Sequence, residues 1–147
     1  MVHGEHNITE HGARIRDLYL NPAHAEAHPD AVKAILDADL IVIGPGSLYT
    51  SVLPNLLVSG IQKALFQTSA TKAFICNVAT QHGETDNFSV GDHIETLERH
   101  TGRGILNVVL ANNNIASELP EAWHSTAVPI TNDALRAFEG LRLVQAD

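Results

Sequence analysis

Apolar residues along this chain come in two alternating rhythms: short unbroken runs, and repeats at intervals of three and four. The run Leu40 to Ile43 predicts a buried parallel strand, which breaks off in Gly44-Pro45-Gly46-Ser47. Leu53, Leu57, Ile61, Ala64 and Leu65 then predict a helix starting at Ser51, with Pro54 tolerated in its first turn. Thr71 to Cys76 predicts a second strand, followed by the polar loop Asn77 to Asp86. Ser89, with Asp92 three residues on, predicts a capped helix that buries Val90, Ile94 and Leu97. Gly102 and Gly104 close that helix, and Ile105 to Ala111 predicts a third strand. Upstream, Arg14 to Leu20 reads as a strand with Ile15, Leu18 and Leu20 as its apolar points. Pro29 opens a helix striped by Val32, Ile35 and Leu36 that ends near Asp37 or Asp39. Beyond Asn112-Asn113-Asn114 the rhythm weakens to a short strand at Val128–Ile130, a helix at Asp133–Phe138 and a last strand at Leu141–Val144.

Strands alternating with helices at this spacing predict an α/β fold, a parallel sheet with helices on its faces. A single domain is expected over residues 1–147: a polar lead-in at 1–13, a core at 14–112, and a strand–helix–strand tail at 113–147. A chain of 147 residues can bury about two thirds of the surface its unfolded state exposes. The net charge of −8 argues against a nucleic-acid partner, which needs a basic face. A lone cysteine, Cys76, leaves no internal disulfide and fits a reducing, cytoplasmic setting. No run approaches the roughly 20 apolar residues that span a bilayer, so no membrane partner is expected.

Loops that follow successive parallel strands leave from one edge of the sheet, where open α/β folds bind ligands. Gly44, Gly46 and Ser47 can present backbone N–H groups to an anion, and Ser47, Thr50, Ser51 and Asn55 add neutral side-chain polar groups. Asn77, Thr80, Gln81, Glu84, Thr85 and Asp86 supply amides, hydroxyls and carboxylates for sugar hydroxyls, a base edge or a divalent cation. The first loop is not a dinucleotide fingerprint, because Tyr49 stands at the third glycine position. It is not a phosphate-cradling loop of the Gly-Lys-Ser/Thr kind, and Pro45 spoils a nucleophile elbow around Ser47.

Among the histidines, His24 and His28 have a zinc-compatible spacing but lack the intervening order of a zinc-binding helix, and His3, His6 and His11 form a second loose cluster. No metal site is expected at either. His93, on the stripe between Val90 and Leu97, reads as a packed helix histidine, and Cys76 as a packing residue at a strand end. Arg99 and Arg103 read as complements to a helix dipole.

In two long stretches the sequence resembles the family that joins the gluconeogenesis factor with 2-phospho-L-lactate transferase. The resemblance rests on Ala38 to Val58, on Ile75 to Asp86 with Asp92-His93, and on Val2-His-Gly-Glu-His-Asn-Ile8. It stands closer to the gluconeogenesis-factor branch. It implies a Rossmann-like three-layer fold with helices on both sheet faces, and a pocket for a nucleotide-linked ligand of the UDP-sugar type. It also implies a role in regulating carbon metabolism, cell-wall synthesis and cell shape. The alternative it carries is a nucleotide-dependent transferase, with magnesium held by Glu84 or Asp86. By motif match the pocket takes in Gly44, Pro45, Gly46, Ser47, Asn55, Asn77, Thr80, Gln81, Glu84 and Thr85, with Phe88 offering a stacking face. Asn87-Phe88 departs from the glycine and tyrosine usual in that branch. Family members are about twice this long and begin with a glycine-rich loop that nothing here matches, so the chain looks like the carboxyl-terminal half. The partners expected on that basis are a complementary amino-terminal half or a second copy.

Overall fold

The computed structural model describes residues 1–4, 7, 15–115, 119–131 and 140–147. The expected helix at 133–138, most of the polar lead-in, including His6 and His11, and Arg14 of the expected first strand lie outside those residues. Four strands, β1 (Leu40–Ile43), β2 (Thr71–Ile75), β3 (Val108–Asn112) and β4 (Arg142–Ala146), form one sheet in the order β1-β2-β3-β4. All three pairings are parallel, as the buried apolar runs predict. The α/β fold read from the sequence is therefore present.

Register sorts the side chains into two faces. Ile43, Phe74, Val109 and Leu143 stand in one row across the sheet. They share a single core with Ile35 of α1 (Pro29–Asp37), Ile61 and Leu65 of α3 (Ser59–Gln67), and Ile94 and Leu97 of α4 (Val90–Thr101). Helices α1, α3 and α4 thus pack on that face. The strand residues between point the other way.

The helix termini follow the sequence closely. Pro29 opens α1, with the His28 ring accepting from the Asp30 N–H at 3.2 Å. Ser89 and Asp92 form a reciprocal capping box at the start of α4, and Gly102 ends it at φ +100°.

Three expectations are corrected. The predicted helix from Ser51 begins earlier and is broken. A π-turn over Leu48–Val52 leads into α2 (Leu53–Leu56), and α3 restarts at Ser59. Val52 N–H reaches back five residues to the Ser47 carbonyl at 2.9 Å, and Pro54 has no N–H with which to tighten the turn. Residues 15–20 are not a strand; their backbone is held by side chains instead. Leu18 N–H donates to His100 Nε2 at 3.0 Å, Arg99 donates to the Arg16 carbonyl at 2.7 Å, and the Tyr49 hydroxyl donates to the Ile15 carbonyl at 3.3 Å. Residues 128–130 do not join the sheet. Val128 N–H bonds the Val78 carbonyl at 3.0 Å, next to an isolated antiparallel bridge between Ala127 and Ala79.

Candidate functional site

The two loops predicted to converge do so. Both leave the carboxyl ends of neighbouring strands, and a two-way amide clasp joins them: Gly46 N–H donates to Asn77 Oδ1 at 3.2 Å, and Asn77 Nδ2 donates to the Gly46 carbonyl at 3.0 Å. The turn demands glycine at its start. Gly44 has φ +81°, and a Cβ there would lie 2.9 Å from the Ile75 carbonyl oxygen.

Glu84, 3% exposed, is the hub of the junction. Its carboxylate accepts from the Ser47 hydroxyl, from Tyr49 N–H at 3.4 Å, from the Thr50 hydroxyl at 3.3 Å and from Gln81 Nε2 at 3.1 Å. Ser47 Oγ in turn accepts from Thr50 N–H at 3.2 Å, capping the π-turn. A buried carboxylate surrounded by donors is stable only because those donors replace water. Behind it, Thr85 Oγ1 accepts from Gln81 N–H at 2.9 Å. Thr80 is braced from outside: its N–H donates to the Thr126 carbonyl at 2.8 Å, and its hydroxyl accepts from Thr126 N–H at 2.9 Å. Asp86 takes Gly83 N–H at 2.8 Å and lies 3.1 Å from His82 Nδ1.

The sequence-predicted residues therefore divide by position. Ser47, Thr50, Asn77, Thr80, Gln81, Glu84 and Thr85 build the junction. Gly44, Pro45, Gly46, Ser51 and Asn55 rim a cleft of roughly 310 Å³ floored by Ile35, Ile41, Ile43, Val52, Leu56, Ile61 and Leu65. Ser51 and Asn55 are exposed there; Asn55 Nδ2 donates to the Ser51 carbonyl at 2.7 Å. Phe88 stands apart from the cleft. It is 5% exposed, with ring-edge contacts to Tyr49 and His93 at centroid distances of 6.5 and 5.4 Å. It lines a second cavity of roughly 280 Å³ with Ile15, Arg16, Tyr49, Thr96 and Arg99. Asn87 has φ +61°, a left-handed geometry that asparagine tolerates and glycine favours.

His93 is buried, as expected of a packed helix histidine. Its Nδ1 lies 2.9 Å from the Ser89 carbonyl, while Nε2 has no partner. Burial holds the ring below the usual histidine range, against the smaller opposing pull of the Ser89 carbonyl and Asp92. Burial also pushes the Cys76 thiol up to about 12, so it is inert packing. His28 serves as a helix cap and His24 is exposed; among the described residues no group of three His, Cys, Asp or Glu side chains could hold a metal. Also among them, no helix is long and apolar enough to cross a membrane.

Sequence reasoning missed Tyr49, His100 and Thr126. Tyr49, 1% exposed, carries the Ile15 contact, and His100 anchors Leu18. His100 sits at heptad spacing from His93, on the face of α4 already read as buried, so the same stripe could have revealed it. Arg99, read as a dipole complement, instead holds Arg16.

The sequence pattern that defines the family described as 2-phospho-L-lactate transferase CofD matches residues 1–147. The gluconeogenesis factor of Bacillus subtilis is 42% identical over 135 residues, covering 90% of this chain and 43% of that protein. The gluconeogenesis factor of Halalkalibacterium halodurans is 45% identical over 125 residues, covering 85% of this chain and 39% of the relative. A crystal structure of a UPF0052-family protein from Bacillus halodurans superposes with a TM-score of 0.89 at 38% identity, covering 98% of this chain and 47% of the other. The chain thus spans less than half the length of the relatives it matches. With its full length matched and its sheet reproduced, the chain belongs to the family of the 2-phospho-L-lactate transferase and the gluconeogenesis factors.

Proposed function

We infer that this chain forms one wall of a nucleotide-sugar site, of the UDP-sugar type, in a cytoplasmic regulatory protein of the gluconeogenesis-factor kind, acting on carbon metabolism and cell-wall synthesis. The observation that carries this reading is the fused rim. Two loops from adjacent parallel strands are locked together beside a cleft whose mouth offers the Gly44–Gly46 backbone, Ser51 and Asn55. Such a rim suits a ligand with a diphosphate and hydroxyl-rich rings, and a rim already rigid loses little entropy on binding. The names of the relatives favour the regulatory branch.

The description of the matching family favours a second reading, a nucleotide-dependent transferase. For that chemistry Glu84 and Asp86 were the candidate magnesium ligands. They fit the ion poorly in this arrangement, because the Glu84 oxygens already accept from Ser47, Tyr49, Thr50 and Gln81, and Asp86 from Gly83 with His82 alongside.

Calorimetric titration with UDP-glucose, with and without magnesium, separates the readings. Regulation predicts saturable heat that is independent of magnesium, with the nucleotide recovered intact. Asn55→Ala should weaken binding at least tenfold and leave the melting temperature within a degree or two. Magnesium-dependent consumption of the donor would establish the transferase instead.

A further inference from the structure

We propose, resting on the nucleotide-sugar reading above, that the planar base of the ligand stacks on the indole of Trp123. A nucleotide needs a flat apolar surface for its base as well as donors for its phosphates. Phe88, the ring expected from the sequence to provide that surface, is 5% exposed and packed against Tyr49 and His93. Trp123 is 61% exposed and belongs to neither buried cluster. The accessible ring beside the loops is therefore the indole.

The turn that carries Trp123 is fastened to the rim at several points. Trp123 closes a 3-10 turn, Glu121–Trp123, with its N–H on the Pro120 carbonyl at 2.9 Å. Immediately after it, the His124 ring lies 5.7 Å from the ring of His82, which Asp86 holds at 3.1 Å. His124 has φ +47°, a left-handed backbone uncommon outside glycine. Thr126 N–H then donates to the Thr80 hydroxyl at 2.9 Å, and Val128 N–H to the Val78 carbonyl at 3.0 Å. The loop 77–86 is thus tied to Gly46 through Asn77, and to the Trp123 turn through Val78, Thr80 and His82. Asn77 and Thr80 are three residues apart, at most about 11 Å of chain. One extended ligand can therefore meet the Gly44–Gly46 backbone with its diphosphate and the indole with its base. An aromatic ring held in place before the ligand arrives costs little entropy when it stacks.

Trp123 is the single tryptophan of the chain, so its emission reports this position alone. UDP-glucose and UDP should quench that emission along saturation curves that match their calorimetric dissociation constants. Glucose 1-phosphate, which has no base, should leave it unchanged. Trp123→Ala should weaken UDP-glucose about tenfold, and Trp123→Tyr should restore most of that loss. Melting temperature should stay within a degree or two of wild type, because the indole already faces solvent. UDP-glucose held by Trp123→Ala as tightly as by wild type would overturn the stacking and leave the nucleotide-sugar reading standing. An equal loss of affinity for glucose 1-phosphate would place the sugar, not the base, on the ring and overturn the assignment. Heat from neither UDP-glucose nor UDP would overturn both.

Discussion

At the carboxyl ends of β1 and β2, the inward-facing polar groups find partners within the chain: Asn77 with Gly46, Thr80 with Thr126, and Glu84 with four donors. Along the outer flank of β1, a few residues away, Leu40 and Val42 stand more than half exposed, and among the described residues that strand edge is unpaired. The rim is finished; the flank is left open. Substitutions at the buried junction around Glu84 should therefore damage folding, while substitutions of Leu40 or Val42 should leave the fold standing.

The largest effect is expected at the hub. Glu84→Ala strands the hydroxyls of Ser47 and Thr50, the Gln81 amide and Tyr49 N–H in a buried space, and should cost about 3 kcal/mol in a denaturant titration. A midpoint equal to wild type would remove Glu84 from its place as organiser. Gly44→Ala comes next, at about 1–3 kcal/mol, because the new methyl meets the Ile75 carbonyl in a left-handed turn.

Acid gives a third, smaller effect. His93 is held below its ordinary value by burial, so the unfolded chain binds the extra proton first. Its contribution is fully present above the unfolded value of about 6.5 and is lost as pH falls below it. Melting temperature should drop on acidification through that window, and His93→Met should flatten the slope. An unchanged slope would show that His93 does not titrate across folding. Smallest of all, Val42→Lys in the isolated chain should shift stability by no more than about 0.5 kcal/mol, since the side chain already faces solvent. A loss of several times that size would mean the flank is covered from within the chain.

What could be read from the sequence was whatever depends on local period or local caps. The apolar runs gave β1 and β2, and Ser89 with Asp92 gave the start of α4 within one residue. The tail strand at 141–144 was found with its end misplaced, at Arg142–Ala146. The segment 14–20 misled because Leu18 and Leu20 alternate, although Ile15 is out of phase with them. Ile15 and Leu18 face a separate small core with Leu48, Tyr49, Leu53 and Phe88. The π-turn could not be read from hydrophobic spacing, because it is defined by backbone bonds that reach back five residues, from Val52 to Ser47 and from Leu53 to Leu48. The polar loops could be recognised as a candidate site, but not their internal economy. Thr80 and Thr126 are 46 positions apart, and nothing local announces that they pair. For the same reason Phe88 looked like a ligand platform when the fold places its ring against Tyr49 and His93.

The central claim is that residues 44–55 and 77–86 act as one binding rim, and amide chemical-shift mapping during a titration with UDP-glucose tests it most directly. Perturbations rising together at Gly44, Gly46, Ser51 and Asn55 and across the Asn77–Gln81 backbone, with one shared dissociation constant, are predicted. Perturbations confined to one loop, or shifts absent at millimolar ligand from both, would contradict it.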